Sequence, residues 1–567
     1  MNLIKKNITL VCLILILIFA FIIRIYRIDS MPVSMNWDEV SLGYNAFSIA
    51  KSGIDEWGNK FPVLFRAYGD YKLPLYIYLT SAIVKFFGLS VFTVRVVSLF
   101  SGLGIVLFTY LLCNELIEFS KITFLVKNKK SIILVSAFLV AIEPWTFFLS
   151  RVALEANLSN FLIILGLYFI FRSINTKLNK FLFLGVFFMI SSMWAYNSAR
   201  VFVPLMFFGL FFIFYSNLKI IFTNSKYRLY ILLSLILISF LFLGHELFSL
   251  EGQSRYRTLQ LVDVGVVSQI IDFRLKSNLP NIVERLVFNR PVFFGLEFVK
   301  NYLIYLNPNY LFINGGTQYQ FNIPNFGQLY FPELVTVLIS ITILIKNFKN
   351  RVVKFLFYWF LIAFIPASLT KDAPHALRSF VLVPLPMFLS AIGIVYLLKF
   401  KKVFFYIFLI ILFGFFIRYL SLYFGDYKMK YSQSWQYGYK ELVEYSLDNK
   451  NEYDKIFVTK KYGEPHEFFY FYERLAPTFL NNDQNLVRYG QSDWFWVDSF
   501  DKYVFLNDWQ IPKEGSVFKT EKGFEYDCAN IKCLIATSQT INDLKWKLIT
   551  EIRFLDGKIA FYIYENI

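Results

Sequence analysis

The sequence predicts an α-helical polytopic membrane protein of about eleven transmembrane helices, with interfacial helices and a C-terminal soluble α/β domain. Three observations predict it. Of its 567 residues, 57% are hydrophobic and 17% charged, against roughly a quarter charged in an ordinary soluble domain. Apolar runs close to the roughly 20 residues needed to cross a bilayer recur as far as residue 422. Beyond that point the chain turns to short buried and alternating stretches typical of a soluble fold.

The elements follow in order. Lys5 and Lys6 precede "ITLVCLILILIFAFIIRIY", long enough to span and followed by no small-residue cleavage site, so it reads as a retained helix rather than a signal peptide. The expected spans are 8–26, 95–117, 131–149, 156–172, 181–196, 201–217, 229–248, 331–347, 353–370, 379–399 and 403–422. With the N-terminus in the cytoplasm, each inner connection carries a Lys/Arg cluster, such as Lys127/Lys129/Lys130 and Lys399/Lys401/Lys402, as the positive-inside rule requires. An odd number of spans then puts the C-terminus outside. The run "LPLYIYLTSAIVKFFG" is short and contains Lys85; counting it as a span would invert every later loop, so it reads as an interfacial helix. The membrane core is thus 1–422, with outer loops 27–94 and 249–330, and 423–567 forms an extracytoplasmic α/β domain. In that domain "SWQYGYKELVEYSLDN" reads as a helix, "KIFVT" and "CLIAT" as buried strands, and "IRFLDGKIAFYIYE" as a hairpin around Asp556-Gly557.

Charge and cysteine use narrow the classes. The net charge of +17 resides mostly in short loops between apolar runs, where it orients helices, so no nucleic-acid partner is expected. Cys528 and Cys533 in "CANIKC" lack nearby companions for a zinc site and suit a disulfide in an oxidising compartment.

The stretch "NWDEVSLGYNAFSIAKSG" has a helical layout with Asn36 as N-cap and Gly53 at its end. Glu39, three residues after the cap, would complete a capping box. Adjacent helical residues point about 100° apart, so Asp38 is left as the carboxylate able to act as a general base toward a hydroxyl. Further on, Asp70 and Lys72 precede Pro74; Lys72 reads either as a snorkelling side chain or as a cation for a lipid-linked phosphate. Arg151, Arg200 and Arg378 lie at outer span edges, where arginine should be scarce. Singly each suits a headgroup contact; together they would make a fork of donors for phosphate. Tyr196, His375 and Glu155 are carried as supporting residues, Glu155 being spaced for an i to i+4 pair with Arg151 or for a metal.

These residues resemble a known family. The acidic pair "DE" after the first span, a "K-x-P-L" element, "RVVSLFSGLGIVLFTYLL" from Arg95 and "SR" after the third span look like the GT-C superfamily of membrane glycosyltransferases. The most similar groups are the protein O-mannosyltransferases and the lipid A aminoarabinose transferases. The resemblance covers roughly the first 220 residues and weakly includes "PHALRSF"; the tail is similar to tails of bacterial members. It implies a polyprenyl-phosphate sugar donor and transfer to a protein, lipid or polysaccharide acceptor on the outer side of the cytoplasmic membrane. By motif, Asp38 matches the catalytic acidic residue, Glu39 its partner, Lys72 the cation near the donor phosphate, and Arg95 an arginine opening the second span. Leu73 departs from the family's double proline.

The expectation is therefore an inverting hexosyl- or pentosyltransferase with Asp38 as base. Lys72, with some of Arg95, Arg151, Arg200 and Arg378, would stabilise the departing phosphate. No cofactor is obligatory, and a divalent metal is left open. The competing class is a lipid-linked glycan transporter or flippase, whose usual repeats and broken mid-membrane helices are not visible in this sequence.

Overall fold

The computed structural model describes residues 2–223, 244, 261–262, 264–491, 494–512 and 515–567. Among the described residues, six helices are long and apolar enough to cross a membrane: Ile8–Ile25, Val91–Ser120, Glu155–Thr176, Asn197–Ile221, Arg351–Ser368 and Lys402–Lys430. The chain is a polytopic membrane protein. These helices coincide with the runs expected at 8–26, 95–117, 156–172, 201–217, 353–370 and 403–422.

Four expected spans differ in form. The run 131–149 breaks into Lys129–Ile142 and Pro144–Leu149, because Pro144 has no N–H to continue the helical ladder. The runs 181–196, 331–347 and 379–399 appear as helices of 14, 13 and 16 residues, Asn179–Ser192, Glu333–Ile345 and Leu385–Phe400. Thirteen residues rise only about 20 Å, short of a ~30 Å hydrocarbon layer. The last two of these helices pack with polar contacts inside, Thr336 and Ser390 hydroxyls meeting at 2.7 Å. The span expected at 229–248 lies outside the described residues, apart from Gly244. Within the expected outer loop 249–330, the described part contains the helices Val264–Lys276, Asn281–Val287 and Arg290–Leu306.

The chain divides into two compact units, 1–26 with 98–420 and 27–97 with 421–567. In the first, two buried arginines cap the C-terminal ends of helices. Arg24, at the end of α1 (Asn2–Ile25), donates to the Ala141 and Val140 carbonyls at 2.6 and 3.1 Å. Arg151 returns the arrangement, donating to Ile23, Arg24 and Tyr26 carbonyls at 2.9, 2.6 and 2.7 Å. Helix C-termini leave carbonyls without intrahelical partners and carry partial negative charge, so a guanidinium satisfies both needs.

The second unit begins with α2 (Trp37–Ser52), which starts at the Asn36 cap and stops at Gly53 in the left-handed conformation, φ 69°. A short hairpin follows, β1 (Phe65–Arg66) with β2 (Tyr71–Lys72), then α3 (Pro74–Phe87). Pro74 sits in the first turn of α3 with Leu73 as an extended cap, so one proline suffices to start this helix. The 14 residues of α3 are too few to span.

The rest of the unit is the expected α/β fold. β3 (Lys455–Thr459), β4 (Val487–Gln491), β5 (Trp494–Phe500), β6 (Tyr503–Leu506), β9 (Cys533–Thr537), β10 (Trp546–Arg553) and β11 (Ile559–Asn566) make one sheet, while β7 (Val517–Lys519) pairs with β8 (Glu525–Asp527). The order is β10-β11-β9-β3-β6-β5-β4, with β3 parallel to both β6 and β9. β3 and β9 are the "KIFVT" and "CLIAT" runs, and β10–β11 is the hairpin turning at Asp556-Gly557. Phe457, Val504, Ile535, Phe518 and Trp546 form its core, and Cys528 and Cys533 are joined as a disulfide. The helix Pro465–Tyr472 packs on α2, where Tyr44 meets Tyr470 at 5.1 Å. The residues expected as the first outer loop are thereby built into the same unit as the C-terminal sheet.

Candidate active site

The two adjacent carboxylates of α2 have opposite fates. Asn36 Oδ1 accepts the Glu39 backbone N–H at 2.9 Å, which fixes where the first turn begins. The Glu39 side chain does not close a capping box as expected. It turns inward, fully buried, and takes Arg95 Nε and Nη2 at 2.9 and 2.8 Å. Arg95 Nη1 donates to the Ile28 and Pro32 carbonyls at 2.7 and 3.4 Å, and Nη2 also to Ser34 at 2.8 Å. Five contacts use the five N–H donors of a guanidinium. Arg95 thus clamps the chain preceding α2, and Glu39 is its counter-ion. A bidentate pair removes both charges from water at least cost.

Asp38, about 100° round the helix, points the other way, its side chain 35% exposed. Two groups from the β1–β2 hairpin hold it. Lys72 Nζ lies 2.5 Å and the Tyr68 hydroxyl 2.7 Å from Asp38 Oδ1. The hairpin geometry explains this reach. Ala67 N–H bonds the Asp70 carbonyl at 2.9 Å, and the Asp70 carboxylate accepts Tyr71 N–H at 2.7 Å. Asp70 therefore shapes the turn, presenting Tyr68 at its tip and Lys72 on its return strand. Burial and the neighbouring Asp38 carboxylate hold the Tyr68 phenol well above its usual range, so it stays protonated and donates. Tyr68 is the residue that sequence reasoning missed; its only signal is its place in "AYGDYKLP", four residues before Lys72.

A second layer surrounds Tyr68. Trp37 and Trp494 rings lie 5.9 and 5.4 Å from its ring, and Trp494 Nε1 donates to Glu464. Three buried carboxyls, Glu56, Glu464 and Glu467, occupy the same unit. Burial raises Glu56 to about 7 and Glu464 to about 8, and pushes Glu467 well above its ordinary value. His466 is held well below its usual range by burial and by the Arg488 and Lys460 charges. None of these four was singled out from the sequence, because a carboxyl's burial is not written locally.

The remaining candidates belong to the first unit. Arg151 is fully buried, its guanidinium on the Ile23, Arg24 and Tyr26 carbonyls, as above. Arg200 donates from Nε to the Met193 carbonyl at 3.3 Å and lies 5.9 Å over Trp194. Tyr196 is buried in the same turn. Arg378 donates to Thr370 Oγ1 and the Lys371 carbonyl at 2.9 and 2.5 Å, with Asp372 at 3.8 Å. His375 is buried beside the Phe321 ring, 5.1 Å away, and Glu155 opens the helix Glu155–Thr176. Among the described residues no cluster of three or more His, Cys, Asp or Glu is arranged to hold a metal ion.

No family model matches the chain, and no curated protein matches it. Solved structures similar to it include the oligosaccharyltransferase of Archaeoglobus fulgidus tethered with an acceptor peptide. That alignment covers 84% of this chain and 64% of the archaeal one, at 14% identity and a TM-score of 0.46. The chain therefore spans just under two thirds of the archaeal enzyme's length. The same enzyme in complex with an inhibitory peptide and a dolichol-phosphate aligns over 83% and 64%, at 14% identity and a TM-score of 0.46. ArnT from Cupriavidus metallidurans bound to undecaprenyl phosphate aligns over 99% of this chain and 98% of its own, at 8% identity and a TM-score of 0.41.

Proposed function

We propose that this protein transfers a sugar from a polyprenyl-phosphate donor to an acceptor hydroxyl on the extracytoplasmic side of the cytoplasmic membrane, with inversion at the anomeric carbon. One observation carries the reading. Of the two neighbouring carboxylates on α2, Glu39 is sealed against Arg95, whereas Asp38 is solvent-accessible and held by Lys72 and Tyr68. A cation and a phenol bonded to one carboxylate oxygen favour its ionised form, which is the form a general base requires.

In the proposed reaction Asp38 takes the proton of the acceptor hydroxyl as that oxygen bonds to the anomeric carbon. The bond from that carbon to the phosphate oxygen breaks, and its electron pair leaves with the lipid phosphate. Lys72, 2.5 Å from Asp38, supplies positive charge beside the base, where it meets the charge growing on the departing phosphate. Arg95 and Arg151 are left out of this role because their donors hold backbone carbonyls and Glu39. The motifs around Asp38, Lys72 and Arg95 support the same donor chemistry.

The test is release of free polyprenyl phosphate from polyprenyl-phosphate hexoses and pentoses by purified protein, with an acceptor preparation from the cell envelope. Wild type should release it and Asp38→Asn should fall by at least roughly 100-fold, the lower range for loss of a general base. NMR of the product anomer checks inversion. An Asp38→Asn protein transferring at the wild-type rate would remove Asp38 from the chemistry.

A further inference from the structure

β5 begins by straddling the β1–β2 hairpin. Successive strand residues point to opposite faces, and the first two of β5 use both. The Trp494 ring lies 5.4 Å from Tyr68, and the Phe495 ring lies 3.7 Å from the Arg66 guanidinium. Phe495 N–H donates to the Tyr68 carbonyl at 2.5 Å, so the strand holds both the backbone and the ring of Tyr68. Trp494 is itself anchored, since its Nε1 donates to the Glu464 carboxyl, which is fully buried. Gly69 is what allows this approach: a Cβ there would lie 2.2 Å from Trp494 Cε3 and Cζ3.

Resting on the reading of Asp38 as base, we propose that Trp494 is a positioning residue for the reaction: the C-terminal sheet, through Trp494, holds the Tyr68 hydroxyl on Asp38. Tyr68 is at the tip of a four-residue turn, and a phenol there has two side-chain torsions to lose before it can donate in one direction. Trp37 and Trp494 close on its ring from α2 and β5. The Lys72 ammonium and the Tyr68 phenol both bond Asp38 Oδ1, and the strand acts on the phenol. This gives the C-terminal sheet a part in the chemistry as well as in packing.

The experiment is the pH dependence of lipid-phosphate release by the full-length protein from polyprenyl-phosphate hexoses and pentoses. Removing a donor from a carboxylate favours its protonated form, so Tyr68→Phe should move the acid limb of the pH–rate profile up by roughly one unit, the scale of one hydrogen bond to a charged group. Trp494→Ala should move it in the same direction, and so should Gly69→Ala, whose methyl displaces the Trp494 ring without removing it. Trp494→Phe keeps a ring against Tyr68 and should restore the wild-type limb. Tyr68→Phe combined with Trp494→Ala should shift no further than Tyr68→Phe alone, as expected of residues acting through one bond. Lower rates with an unmoved limb in the Trp494 and Gly69 variants would overturn the proposal and leave Asp38 as base intact. A wild-type protein that releases no lipid phosphate would overturn both.

Discussion

Glu39 and Arg95 offer the sharpest test of how the paired carboxylates divide their roles. Both side chains are fully excluded from solvent. Arg95 meets Glu39 through two charge-assisted bonds of 2.9 and 2.8 Å, and its other three donors hold Ile28, Pro32 and Ser34. Bonds to charged groups contribute about 1.5–3 kcal/mol each, so losing the two costs about 3–6 kcal/mol. The separate estimate for breaking a buried pair by deleting one partner is about 3–5 kcal/mol, and the two agree. Glu39→Ala should therefore lose about 4 kcal/mol of unfolding free energy, read by denaturing-detergent titration in mixed micelles. Glu39→Leu with Arg95→Met should lose clearly less than the sum of the single changes, a coupling of at least about 2 kcal/mol. The folded fraction of Glu39→Ala should retain the pH profile proposed for Asp38, because the Glu39 carboxylate is sealed against Arg95. Additive single and double variants, or a Glu39→Ala protein as stable as wild type, would refute the reasoning.

Two further predictions concern the C-terminal unit. Burial lifts Glu464 from 4.5 to about 8, so the folded protein holds a proton that the unfolded chain has lost. Its contribution is fully present below pH 4.5 and declines as pH rises through about 8. Glu464→Gln should therefore reduce the fall of the thermal unfolding midpoint across that window, Glu56 and Glu467 supplying the remainder; an unchanged slope would count against a buried, protonated Glu464. For orientation, Leu544 is 95% exposed. Leu544→Cys, in a protein whose free Cys12 and Cys113 are replaced by Ser, should react with a membrane-impermeant maleimide in intact cells, whereas labelling only after lysis would invert the assigned topology.

Features set by neighbours in the chain were legible in advance. The Asn36 cap, the Gly53 stop, the Asp556-Gly557 hairpin and the two buried strands each depend on a few consecutive residues, and each appears where expected. Even the break in the run 131–149 was written in Pro144, although hydropathy alone smoothed over it. Hydropathy measures transfer to lipid and is blind to a missing N–H. The arginines show the opposite case. Arg151 reads as a phosphate donor because outer arginines are rare, and Arg95 because of its motif, but neither signal tells which groups a guanidinium meets in the fold. Arg151 reaches carbonyls more than a hundred positions earlier in the chain, and no local pattern encodes that reach.

By itself the sequence determined the membrane class, the places where helices and strands start, and the nomination of Asp38 and Lys72, because apolar run length, capping and turn chemistry are properties of adjacent residues. Only the tertiary structure decided which carboxylate is sealed and which is open, that Tyr68 is the phenol on Asp38, and that Trp494 and Glu464 stand behind it. The physical reason is that desolvation and hydrogen-bond saturation belong to the assembled surroundings of a group. A carboxylate's partners 30 or 56 residues away become its neighbours only when the chain has folded.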